Sequence, residues 1–189
     1  MENVVVSIFD IESEAFQAFS ELKQFGQTEN TKLAQALIVK AENGVINVKD
    51  NFDLIDSIGD GYFEGGLIGS LIGILGGPLG VLFGFAAGGA IGASVGSAKE
   101  LAKSALITTV SNKLTNGEVA IIALVQENDE SVLNAIFEKY QVDIARWDVA
   151  TVAAEIESAL KIQKDLEHQA KARLIADKKE ARREKFDKL

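Results

Sequence analysis

His168 is the chain's single histidine, and it stands between Glu167 and Gln169 with no second imidazole to share a metal. Cysteine is absent, so no thiol can pair with it as a nucleophilic dyad. It reads as a surface histidine on a charged helix. Asp50, Asp53, Asp56 and Asp60 present carboxylates, the donor type that suits calcium or magnesium. Their three- and four-residue spacing is not that of an EF-hand loop and fits a solvated helix face or loop. Gly59-Asp60-Gly61 lacks the G-x-x-x-x-G-K-[ST] pattern, and no G-x-G-x-x-G follows a strand with an acidic residue at the required distance. Trp147, flanked by Arg146 and Asp148 at the end of the last expected strand, suits a pocket wall, a core position or an interface. No catalytic set, cofactor site or metal site emerges, and the expectation is a protein that is not an enzyme.

The strongest pattern serves packing. Gly65, Gly69, Gly73 and Gly77 recur every four residues, and after Pro78 the series resumes at Gly80, Gly84, Gly88, Gly92 and Gly96. Residues four apart share a helix face, so each series cuts a smooth groove that another backbone can approach closely. Each glycine costs a helix roughly 1 kcal/mol relative to alanine, so the register needs compensating contacts. Leucine, isoleucine, valine and phenylalanine fill the remaining surface, and no charge falls between Glu64 and Lys99. Burial against protein, lipid or copies of the same segment is therefore expected. Gly77-Pro78 breaks the run into arms of about 13 and 18 residues, each shorter than the roughly 30 Å hydrocarbon core at about 1.5 Å per residue. Such a hairpin suits a buried intersubunit contact or a dip into a bilayer from one side.

The elements around this hairpin follow from periodicity. Val4 to Phe9 reads as a buried strand ending at Asp10, the expected cap of a helix over residues 11 to 25. Ile11, Ala15, Phe16, Phe19, Leu22 and Phe25 recur at helical spacing, and Gly26 is the expected stop. Ala34 to Lys40 and Val45 to Lys49 form a strand pair joined at Asn43-Gly44. Val119 to Val125 is a further strand, Glu130 to Tyr140 a helix, and Val142 to Val149 a closing strand. From Asp148 a helix runs to the C-terminus, first with Val149, Val152, Ile156, Ala159 and Leu166 in near-heptad spacing, then as a mixed-charge stretch. The expected class is α+β: a ferredoxin-like α/β sandwich with helices on one sheet face, an inserted glycine-zipper helical hairpin and a long C-terminal helix. The expected divisions are 1–58 and 99–150 for the two halves of the sandwich, 59–98 for the hairpin and 151–189 for the charged helix.

With 189 residues, 47% of them hydrophobic, the chain can bury one real core. A formal charge of −9 argues against nucleic acid, which needs clustered cations. The absence of cysteine fits a reducing compartment, and the N-terminus carries no basic leader, so a cytoplasmic location is expected, with membrane association as the alternative.

The opening Val4-Val5-Val6-Ser7-Ile8-Phe9-Asp10, the Ala34 to Lys49 strand pair, the register from Gly65 to Gly96 and the strand at Gly117 to Val125 together resemble an uncharacterised bacterial glycine-zipper family of the domain-of-unknown-function type. Its members often read as membrane proteins, and the chain is similar to some Gram-positive general stress proteins. The resemblance covers about residues 3 to 150 and implies a fold; it implies no ligand, cofactor or catalytic residue. The expected function is non-catalytic: a self-associating structural protein whose hairpin mediates homo-oligomer assembly, with itself as partner and membrane lipid as a second candidate. The rivals are a membrane-inserted hairpin and a soluble ligand-binding or enzymatic domain in which the hairpin covers a pocket near Trp147.

Overall fold

The apolar run Val119 to Val125 is continuous rather than alternating, which is the mark of a strand buried on both faces. The computed structural model, which describes residues 1–54, 66–77 and 106–187, places it at the centre of the sheet. The described elements are β1 (Glu2–Phe9), α1 (Glu12–Gln24), β2 (Thr31–Glu42), β3 (Val45–Asp53), α2 (Gly66–Leu75), α3 (Leu106–Lys113), β4 (Val119–Glu127), α4 (Ser131–Phe137) with a 3-10 turn at Glu138–Tyr140, β5 (Ile144–Asp148) and α5 (Val149–Asp187). The five strands form one antiparallel sheet in the order β3-β2-β4-β1-β5. The mixed α+β class and the long C-terminal helix agree with expectation.

One sheet face carries Val5, Phe9, Ala36, Ile38, Ile121 and Ala123 against Ala15, Phe19 and Leu22 of α1 and Leu133 and Phe137 of α4. The β2 register slips between Leu33 and Gln35, which returns Leu33 to this same face. On the other face Val4, Val6, Leu37, Val39, Ile122 and Leu124 are also buried. Helices on a single face were expected, and this burial corrects that expectation: α3 lies beside Val6 and Ile8, and α2 approaches β3.

Local chemistry accounts for most boundaries. Asn43 and Gly44 adopt φ of 55° and 76°, the left-handed pair that closes a two-residue hairpin. Asp148 caps α5, its carboxylate accepting N–H bonds from Ala150 at 2.9 Å and Thr151 at 3.2 Å. Asp10 does not cap α1; Ile11 holds that position without a side-chain bond. Nor does Gly26 end α1, because the chain turns extended at Phe25.

The chain divides into two compact units, Met1–Ile156 and Glu157–Leu189. The first contains the sheet and its helices. The second is helical as far as Asp187, with Leu174 and Ile175 exposed at 55% and 68%. Among the described residues no helix is long and apolar enough to cross a membrane.

Candidate functional site

Two features of the first unit invite a functional reading: a pocket beside Trp147 and the glycine face of α2.

The pocket has a volume of about 520 Å³. Its floor is the sheet, where Val6 and Ile8 of β1 and Ala145 and Trp147 of β5 project on the same side. Thr109, Val110 and Lys113 of α3 form one wall, and Asp10, Ile11 and Glu14 at the start of α1 form another. The segment from Lys139 to Asp143 closes the third side, and Gln141 within it is held at φ 55°, a left-handed conformation rare for a residue with a side chain. Tyr140 fixes that segment. Its ring meets Phe9 edge to face at 6.1 Å between centroids, and its hydroxyl donates to Glu21 Oε1 at 2.5 Å. Burial, and then the bond to Glu21, push the Tyr140 phenol up to about 12. Lys139 Nζ donates to Glu21 Oε2 at 2.6 Å, and Lys139 and Tyr140 together hold the Glu21 carboxyl below the usual carboxylate range.

β5 is an edge strand, and its anchor lies on the opposite face. Arg146 donates to the buried Glu127 carboxylate at 2.7 Å through Nε and to Asn134 Oδ1 at 2.7 Å. Asn3 adds a third bond to Glu127 at 3.1 Å. This network pins β1, β4, β5 and α4 together and thereby sets Trp147 at the pocket floor.

The pocket's ionisable residues are unevenly matched. Lys139 is committed to Glu21, whereas Asp10, Glu14, Asp143 and Lys113 form no ion pair among the described residues. Three carboxylates against one free ammonium leave the mouth acidic. The buried hydroxyls of Ser7 and Ser111 have no hydrogen-bond partner among the described residues, and neither lines the pocket, so they supply no nucleophile there.

In α2 the sequence register becomes geometry. Leu67, Ile68, Leu71, Ile74 and Leu75 are buried, while Gly66, Gly69 and Gly73 share the exposed opposite face. Nothing among the described residues lies within 4 Å of a methyl placed at Gly69 or Gly73. Gly77 lies beyond the helix end, where a methyl would come within 2.5 Å of the Gly73 carbonyl oxygen. Gly76, outside the four-residue register, is a packing glycine that spacing alone did not single out: a methyl there would sit 3.1 Å from the Ile46 carbonyl oxygen of β3.

The other sequence candidates scatter. Asp50 is bound to Lys23 at 2.5 Å, which lowers its pKa, and Asp53 ends β3. His168 is exposed on α5. Gly65, Gly80, Gly84, Gly88, Gly92 and Gly96, Gly59, Gly61, Asp56 and Asp60 lie outside the described residues. Among the described residues no group of three His, Cys, Asp or Glu is placed to hold a metal. Tyr140, Gln141 and Asp143, which shape the pocket, were read only as the end of a helix, a connection and part of the closing strand, with no functional signal.

No curated protein and no solved structure matches the chain. Residues 62–161 match the profile of a family described as protein of unknown function, DUF1269. That span contains α2, α3, β4, α4, β5 and the start of α5, and leaves β1, α1, β2 and β3 before it. It covers more than half of the 189 residues, and the chain belongs to this family of unknown function.

Proposed function

We propose that the chain is a non-catalytic, self-associating structural protein whose glycine-zipper segment mediates contact between copies. The observation that carries the reading is the division of α2 into two faces. Its leucine and isoleucine face is consumed within the unit, while Gly66, Gly69 and Gly73 are left outward. An exposed glycine costs the helix up to about 1 kcal/mol, and nothing among the described residues packs against Gly66, Gly69 or Gly73 to offset it. A flat glycine strip is useful where a second backbone comes close. At ten residues, α2 spans about half of the roughly 30 Å hydrocarbon core, which favours protein over lipid as the covering surface.

The framework supports a ferredoxin-like reading. Without β3, the order β2-β4-β1-β5 with α1 and α4 on one face follows the split βαβ plan, with β3 as an added edge strand and the glycine segment as an insertion.

Gly73→Leu is the test, because nothing among the described residues lies within 4 Å of a methyl at this position. Light scattering on the detergent-free full chain should show the assembly of the parent reduced to smaller particles in the variant. Unchanged particle mass in Gly73→Leu overturns the reading.

A second reading rests on the pocket: a small-molecule binding domain with Trp147 in its floor. Trp147 is the chain's single tryptophan, so a bound ligand should shift or quench the protein's intrinsic indole emission. Emission unchanged across a set of metabolite-sized amines and acids would count against it.

A further inference from the structure

Residues 1–156 carry 9 Lys and Arg against 21 Asp and Glu, and residues 157–189 carry 10 against 7. The resulting −12 and +3 make up the chain's −9. Cations behave differently in the two units. In the first, Lys23, Lys40, Lys49, Lys139 and Arg146 are in ion pairs, while Lys32 and Lys113 form none among the described residues. In the second, Lys161, Lys164, Lys171, Arg173, Lys178 and Lys179 are exposed, and none takes part in an ion pair among the described residues.

The basic residues are also ordered along the helix. Lys164, Lys171 and Lys178 recur every seven residues, which keeps them on one face with a drift of about 20° per step. Charges along the helix also interleave in sign at four-residue spacing, as at Glu157 and Lys161, Lys161 and Asp165, Glu167 and Lys171, and Arg173 and Asp177.

We propose that the lysine stripe of one copy's C-terminal helix docks on the acidic mouth of the pocket in a second copy, where Asp10, Glu14 and Asp143 form no ion pair among the described residues and outnumber Lys113. The partner is another copy of this chain because its first unit, at −12, is the complementary surface at hand, and the same charge repels anionic lipid. Reciprocal docking of two arms makes a closed dimer with two identical contacts. This inference rests on the self-association reading and deepens it, adding a charge-driven contact to the apolar glycine contact.

A charge swap tests it in the full chain. One variant carries Lys164→Glu, Lys171→Glu and Lys178→Glu; the other carries Asp10→Lys, Glu14→Lys and Asp143→Lys. All six positions belong to surface-accessible side chains, and circular dichroism confirms folding before use. Sedimentation should show each variant associating about tenfold or more weakly than the parent. An equimolar mixture should regain association as a heterodimer, since each reversed arm then meets a reversed mouth. Raising sodium chloride from about 0.05 M to about 0.5 M should dissociate that pair.

Variants that associate as the parent does, or a mixture that stays monomeric, overturn the proposal. So does lysine-dependent binding of the parent to phosphatidylglycerol–phosphatidylcholine vesicles without self-association, which assigns the arm to lipid. Gly73→Leu separates the two readings. If it alone lowers the mass, the glycine contact stands and the arm contact falls; if only the charge variants do, the reverse holds.

Discussion

The sheet unit and the C-terminal arm spend their side chains in opposite ways. In Met1–Ile156 the inner strands β1, β2 and β4 are buried on both faces, and even a charged group with almost no exposure, Glu127, has Arg146 and Asn3 bound to it. In Glu157–Leu189, Leu174 and Ile175 stand exposed and the described cations are unpaired. The same contrast is repeated within α2, whose hydrocarbon face is used and whose glycine face is not. A surface that the chain builds at a cost and leaves uncovered points to what the chain meets, whereas a satisfied surface reports only how it folds.

The contrast is broken most forcefully inside the sheet unit. Arg146→Met leaves the Glu127 carboxylate buried without its cation, and unfolding should become easier by about 3–5 kcal/mol. Urea denaturation measures this, and a change below about 1 kcal/mol would mean that Asn3 and solvent suffice for Glu127.

Glu155 sharpens the comparison through pH. Its buried carboxylate accepts the Leu106 and Ile107 N–H groups at 3.2 and 3.4 Å, satisfying the first amides described for α3. Burial raises its pKa and the two bonds lower it, with burial dominant. The folded value therefore lies above the unfolded one, and the native state holds its proton longer. The stability this confers is present below the unfolded value, near pH 4, and is lost as pH rises through the folded value. Relative to Glu155→Gln, the parent should lose melting temperature as pH rises above the unfolded value near 4. A constant difference would indicate that the two N–H bonds offset burial fully.

The smallest effect is also the most diagnostic. Gly73→Ala adds a methyl where nothing among the described residues lies within 4 Å, so the monomer should gain up to about 1 kcal/mol in helix propensity. Calorimetry on dilute protein should show that gain while assembly weakens. A loss of monomer stability would place Gly73 among the internal packing glycines, with Gly76.

Much of this was legible in the sequence. The Asn43-Gly44 turn, the unbroken run from Val119 and the near-heptad start of the last helix each rest on local rules of φ preference or periodicity, and all three hold. What local rules miss is long-range. Asp10 looked like a helix cap because of its type and instead lines a pocket whose other walls come from residues 109–113 and 139–147. The unbroken run from Val119 signals burial on both faces, but which segments cover the second face is decided far away in the chain and is not written in the strand pattern. The glycine register was read as packing from its spacing. That Gly69 and Gly73 face outward while Gly76 touches β3 needed the three-dimensional arrangement.

The central claim is that this chain is completed by copies of itself. Sedimentation equilibrium of the parent in detergent-free buffer, over a hundredfold range of concentration, tests it most directly. The account predicts a mass that rises in multiples of 20.2 kDa toward a defined assembly. A mass fixed at 20.2 kDa throughout would contradict it.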